Sequence, residues 1–307
     1  MKASKTKNRR QRAQGRFIFL MLLWPVIHFV LAQGLNLNMI IMAFNDYSLG
    51  ANDPVFVGFE NFAGVFRLFS RERIDTEWYA VRNTLSIYAL IFFVCEPLSL
   101  MFSYLLYTKV KGHKWIRTLL YLPCITSAVV LVLIFKSFVT SGPVASIYGL
   151  LGIYDKLPKE GWLGPDTAWT VLLIFSVWTG FSSSMIYYLS AMNRIPEDLI
   201  EAAKLDGASE VQIFFRIVLP LISSTICTMM TITVASVFGW AKPSMLMMGN
   251  DYGMNKTGAV GLSVLRYTTA KQYGTAAAYG LLLTLVGAPI TLLFRKLANK
   301  LEVDVEF

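Results

Sequence analysis

A chain of 307 residues that is 55% hydrophobic, only 15% charged and of mean hydropathy +0.53 does not have the composition of a soluble domain, where about a quarter of residues carry charge. Its net charge of +9 gathers at the ends of apolar runs instead of forming a face. That excludes a nucleic-acid partner and points to lysine and arginine fixing orientation in a lipid membrane. The isolated His28 and His113, with Cys95, Cys124 and Cys227 scattered and no CxxC spacing, exclude a zinc site. No GxxxxGK[ST] phosphate cradle and no catalytic constellation occurs. The chain is therefore expected to be no enzyme and to bind no cofactor, and energy for moving a solute has to come from a partner or an ion gradient.

The first element is a basic tail, residues 1–16, followed by an apolar run that could pass for a cleaved signal peptide. The apolar run resumes at Met39–Phe44, so an uncleaved helix is the better reading. Spanning helices need about 20 mostly apolar residues. Six segments qualify, at roughly 17–44, 83–107, 117–139, 167–192, 218–240 and 274–294. This predicts an all-α integral membrane protein with one transmembrane domain over 17–294 and a short tail at 295–307. The basic N-terminus, the loop with Lys109, Lys111, Lys114 and Arg117, and the C-terminal Arg295, Lys296 and Lys300 fall on one side if there are six spans, which puts both termini in the cytoplasm. Glu96 lies mid-span, where an ionisable group is costly and turns inward. Lys136 is expected to snorkel to the outer surface, and Tyr187 and Tyr188 to sit in an inner aromatic belt.

Between the fourth and fifth spans lies a charged insert, PEDLIEAAKLDGASEVQIFFRIVLP, residues 196–220. Pro196 suits the first helical position, and Glu197 and Asp198 complement the helix dipole. Gly207 suits a helix stop. Ser209 and Gln212 have capping-box spacing for a second helix. The insert is thus predicted to be a helix–glycine–helix hairpin under the membrane. It is longer than a plain connector needs to be and suited to docking into a partner's groove.

Glu201-Ala202-Ala203, Gly207, Ile217 and Leu219-Pro220 match the EAA-x3-G-x9-I-x-LP loop of permease subunits of binding-protein-dependent ABC importers, and the chain resembles the sugar branch of that family. Phe44-Asn45-Asp46-Tyr47, Phe56-Val57-Gly58-Phe59-Glu60-Asn61-Phe62, Asn83-Thr84-Leu85 and Tyr121-Leu122-Pro123 share the resemblance. It departs at Lys242–Asp251, where these permeases usually carry a glycine-rich run. The resemblance implies a type I importer permease fold, a second similar permease subunit, two ATPase subunits that use ATP and magnesium, and an extracytoplasmic solute-binding protein. It implies a bacterial cytoplasmic membrane. It also makes the loop at about 193–220, with Glu201, Ala202, Ala203, Asp206, Gly207, Ile217, Leu219 and Pro220, the element that couples to the ATPase.

A carbohydrate path needs hydroxyls and aromatic faces with little net charge. Ser176, Thr179, Gly180 and Ser183 recur at one-face helical spacing, as do Thr233, Ser236, Val237 and Trp240. Small hydroxyl residues serve helix packing equally well, and both readings stand. Glu96 is a further pathway candidate. The solute could instead be glycerol phosphate or a polysaccharide fragment. Phosphate would call for convergent Arg or Lys, which the spans lack. An ion-coupled secondary transporter, with Glu96 as its coupling group, would leave the EAA loop without a role.

Overall fold

The structure, a computed structural model, describes residues 17–19, 21–28, 37–47, 54–69, 74–140, 162–164, 166–249, 256–300 and 302. The terminal tails at 1–16 and 303–307 lie outside the described residues. Almost every described element is helical. The exception is a two-stranded antiparallel ladder pairing Asn45 with Phe56 and Asp46 with Val55, which an all-α expectation missed because two residues per strand leave no alternating pattern to read.

Three helices are long and apolar enough to cross a membrane unbroken, Glu77–Tyr107, Ala168–Met192 and Tyr273–Ala298. Two bent pairs supply further candidates, His113–Ile125 with Ala128–Thr140 (108°) and Glu210–Leu221 with Ser223–Ala235 (72°). Five of the six expected spans thus have a counterpart. The expected 17–44 span is helical at 17–19, 21–28 and 37–43, and its middle lies outside the described residues. The bend in the third span follows Pro123, which weakens the last turn by removing an N–H. Thr126 then turns extended, at φ −82° and ψ 144°.

Prolines shape two other helices in the same way. Pro97 and Pro220 each stand two residues after a five-residue π turn, Ile91–Cys95 and Phe214–Val218. A proline ring clashes with the carbonyl four residues back, and a wider π turn gives that carbonyl room. In each case the residue before the proline closes the turn, Glu96 N–H to Ile91 O and Leu219 N–H to Phe214 O.

The chain forms two compact units. The smaller comprises residues 1–67 and 267–281. Here the FVGFENF run is a clamp: the Asn61 side-chain amide lies 3.0 Å from both Ala43 O and Asn45 O. Gly274 fits against it because a Cβ there would lie 2.5 Å from Asn45 O and 2.6 Å from Asn61 Nδ2.

The larger unit comprises 68–266 and 282–307. One of its apolar clusters buries Val132, Leu172, Phe175 and Met247, with Trp169 and Trp240 packed alongside. Met247 belongs to a short helix, Lys242–Met248, which occupies the stretch that departs from the family pattern. Half-buried Lys136 donates from Nζ to Met247 O at 3.1 Å, meeting a carbonyl at the helix C-terminus, where a cation is favoured. Asn83 and Thr84 pin the segment before helix Val260–Thr269. The Asn83 amide reaches Lys256 O (2.8 Å) and Gly258 O (2.9 Å), and Thr84 Oγ1 accepts from Val260 N (3.0 Å). Nearby, buried Glu77 accepts from Ser263 (3.0 Å) and Arg266 (2.6 Å).

Candidate coupling and transport site

The insert folds as a hairpin of two helices. The first is Glu197–Leu205, with Glu197 and Asp198 in its opening turn. Pro196 is its N-cap, at ψ 131°, and not its first helical residue, because the carbonyl of the cap residue already begins the helix while its backbone remains extended. The stop is a full Schellman turn. Ala208 N bonds Ala203 O at 3.0 Å, Gly207 N bonds Lys204 O at 3.1 Å, and Gly207 sits at φ +81°, the left-handed conformation glycine accepts without strain. The second helix opens on a complete capping box. Ser209 N donates to Gln212 Oε1 (2.8 Å) and Gln212 N to Ser209 Oγ (3.3 Å). It continues through the π turn into Leu219–Leu221.

The hairpin has an apolar back and an open front. Ile213 and Val218 are buried with Tyr188, Met192, Ile195 and Ile222, and Ala203 packs against that cluster. Glu201, Ala202, Asp206 and Gly207 are exposed, while Ile217, Leu219 and Pro220 are half-buried. Leu205, Val211 and Phe215 are also exposed, at 89%, 65% and 61%. A row of apolar side chains beside a bare alanine face suits close docking more than solvation. A cleft of about 310 Å³ opens beside this face, lined by Tyr104, Tyr107, Lys109, Asn193, Glu197 and Glu201 among others.

The hairpin is also bonded to the helix that ends at Tyr107. The Tyr104 hydroxyl lies 2.7 Å from Glu210 Oε2 and 3.1 Å from Glu210 O. Lys204 Nζ lies 3.0 Å from Glu210 Oε1.

The proposed pathway residues fall into two groups. Glu96, Thr233, Ser176, Thr179 and Gly180 take part in bonds and contacts within the bundle. Glu96 is 2% exposed and accepts from Ser184 Oγ (3.0 Å), Thr233 Oγ1 (2.9 Å) and the Tyr188 hydroxyl (2.5 Å). Ser176 is buried with its hydroxyl on Leu172 O at 2.7 Å, and Thr179 bonds Phe175 O at 3.0 Å. Gly180 lets helix 77–107 approach, since a Cβ there would stand 3.0 Å from Cys95 Sγ. The others keep exposure. Ser183 and Ser236 are exposed, and Val237 and Trp240 are half-buried, with Trp240 edge-on to Trp169 at 6.1 Å. Tyr188 is 0% exposed. It is the phenol of the Glu96 network and not a belt residue.

Three residues that sequence reasoning left out complete this arrangement. Ser99 Oγ lies 2.6 Å from Phe181 O, Ser103 Oγ lies 3.0 Å from Met185 O, and Tyr104 meets the hairpin. Glu96, Ser99 and Ser103 stand at one-face helical spacing, the same signal that singled out Ser176–Ser183, applied to the neighbouring span.

The chain is similar to known transport proteins. The probable starch degradation products transport system permease protein AmyD of Thermoanaerobacterium thermosulfurigenes is 26% identical over 87% of this chain and 88% of its own. A crystal structure of a bacterial ABC transporter involved in the import of the acidic polysaccharide alginate matches with TM-score 0.75 at 22% identity, over 92% of this chain and 95% of that one. A second, of a bacterial alginate ABC transporter in complex with an alginate pentasaccharide-bound periplasmic protein, matches with TM-score 0.71 at 22% identity, over 92% and 93%. The model of the binding-protein-dependent transport system inner membrane component matches residues 97–303, a range holding the hairpin, the Glu96-bonded hydroxyls and the spans around them, and the chain belongs to that family.

Proposed function

We propose that this multi-pass membrane protein is one permease subunit of an ATP-driven importer for oligosaccharides, in a bacterial cytoplasmic membrane with both termini inside. The observation that carries the reading is the hairpin at 196–221. Its turn is closed by a Schellman bond pair and a capping box, its back is buried in the bundle, and its front presents Glu201, Ala202, Leu205 and Asp206 to solvent. Such a rigid, exposed hairpin suits insertion into a cleft of an ATPase, which supplies the ATP and magnesium chemistry. A second permease subunit completes the pathway, and an extracytoplasmic binding protein delivers the solute. Family membership and relatives whose names concern starch products and alginate support a carbohydrate.

Ser183 and Ser236, the exposed pathway candidates, are assigned to contact with solute, together with the half-buried ring of Trp240. Ser176, Gly180 and Glu96 are assigned chiefly to packing. Glu96 has three hydroxyl partners, which favours a structural role over that of a coupling group in an ion-driven carrier.

The test is uptake in proteoliposomes containing this chain, its companion permease, the binding protein and the ATPase. The solutes offered are malto-, arabino- and uronate oligosaccharides together with glycerol phosphate. Uptake of one oligosaccharide class that requires both ATP and the binding protein is expected. Uptake by this chain alone under an ion gradient, or uptake of glycerol phosphate only, sinks the proposal.

A further inference from the structure

We propose that the Tyr104 hydroxyl is a positioning group that ties the hairpin to the helix pair 77–107 and 168–192, so that a push on the hairpin moves both helices as one body. This rests on the coupling role given to the hairpin above. The hairpin continues covalently into helix 168–192 through Asn193–Pro196 and into helix 223–235 through Ile222. Helix 77–107 has no such link and would follow the hairpin only through packing.

Tyr104 supplies the link. Its hydroxyl faces both the side chain and the carbonyl of Glu210, in the first turn of the second hairpin helix, at 2.7 and 3.1 Å. The other carboxylate oxygen of Glu210 meets Lys204 Nζ on the first helix at 3.0 Å. One carboxylate therefore joins both hairpin helices to one phenol. Lys204 and Glu210 are half exposed, at 51% and 56%, and such a pair alone holds little. The phenol differs because its ring is fixed against Phe214, with centroids 4.8 Å apart, so little rotamer freedom remains to be lost when the bond forms.

From Tyr104 inward, the two long helices are joined turn by turn. Ser103 reaches Met185 O at 3.0 Å, Ser99 reaches Phe181 O at 2.6 Å, and Glu96 binds Ser184 and Tyr188. Cys95 closes on Gly180. Ser99 and Ser103 also reach Cys95 O (2.7 Å) and Ser99 O (2.6 Å) on their own helix, so sliding one helix past the other costs chiefly the Glu96 bonds, leaving a buried carboxylate short of partners. The pair therefore shifts rigidly, and Tyr104 is where it is held.

The complete transporter, in the proteoliposomes and with the oligosaccharide panel described above, is assayed for uptake and ATP hydrolysis in the same vesicles. Tyr104→Phe is expected to assemble and hydrolyse ATP normally, while solute moved per ATP falls at least about threefold. Glu210→Ala should lose as much, and the double variant no more than Glu210→Ala, because the two groups act through each other. Glu210→Gln, whose amide oxygen still accepts from the phenol, should recover most of the ratio. An unchanged ratio in Tyr104→Phe, additive losses in the double variant, or failure of Tyr104→Phe to assemble each overturns the proposal. Gly207→Pro is the reference. If it lowers the ratio and Tyr104→Phe does not, only Tyr104 is misassigned. If neither lowers it, or the unaltered complex imports none of the panel, the coupling reading fails and this proposal falls with it.

Discussion

Glu96 is bonded to Ser184, Tyr188 and Thr233, three hydroxyls that can turn to accept as readily as donate. Glu96→Gln keeps an oxygen for Tyr188 and offers an amide to the others, so it is expected to cost under about 1 kcal/mol and to leave ATP-driven uptake intact. Glu96→Leu strands the hydroxyls and is expected to cost about 2–3 kcal/mol, roughly the penalty for orphaned buried polar groups. Thermal unfolding of the purified complex in detergent measures both, and loss of uptake in the Gln variant would restore a transport role to the charge. Gly180 makes a second local demand. Its missing Cβ leaves Cys95 Sγ at contact distance, so Gly180→Ala is expected to destabilise by about 1–2 kcal/mol, the usual cost of overpacking. Cys95→Ala in the same chain removes the clashing sulfur and should return most of that loss. Equal melting shifts with and without Cys95→Ala would show that the two positions do not meet.

At the scale of an element, the hairpin tests how far its function depends on one turn. A Cβ at Gly207 meets no atom within 4 Å, so Gly207→Ala suffers only from the left-handed backbone, about 1–2 kcal/mol. Gly207→Pro cannot adopt φ +81° and also removes the N–H that bonds Lys204 O. The expected order of solute moved per ATP is therefore wild type, then Ala slightly lower, then Pro near zero, with Glu201→Lys also low. An Ala variant as poor as Pro would mean the front of the hairpin needs bare glycine and not merely its conformation. The hairpin was legible because capping residues and glycine act locally: Ser209 and Gln212 formed the box their spacing implies, and Gly207 took the turn. The π turns before Pro97 and Pro220 were not legible. A proline inside an apolar run tells only that the helix is disturbed, and whether it kinks, ends or widens depends on neighbouring helices. The helix holding Pro123 ends two residues later, at Ile125, with a bend, while Pro289 sits within one that continues.

At the scale of the whole chain, hydropathy anticipated five of the candidate spans because lipid imposes one rule on every segment, that the backbone bonds within itself. Lateral partners escaped it. Lys136 meets the Met247 carbonyl and Tyr188 meets Glu96, partners 111 and 92 residues away that no local pattern reveals. Topology belongs to this scale too, and rests on charge: Lys109, Lys111, Lys114 and Arg117 crowd one loop, and that loop is expected to be cytoplasmic. Lys114, in the first turn of helix His113–Ile125, and Lys256 are both exposed, with three of the expected spans between them. In a chain with Cys95, Cys124 and Cys227 replaced, Lys114→Cys is expected to react with a membrane-impermeant maleimide only in inside-out vesicles. Lys256→Cys should react only in right-side-out cells or spheroplasts. Labelling of both from the same side would require a span fewer or more between them, so that one of the bent pairs, 113–140 or 210–235, enters and leaves by one face of the membrane. If that pair is 113–140, the hairpin lies opposite both lysines, and coupling to a cytoplasmic ATPase would require the reverse orientation for the whole chain; if it is 210–235, the hairpin keeps the side of Lys114 and the orientation stands.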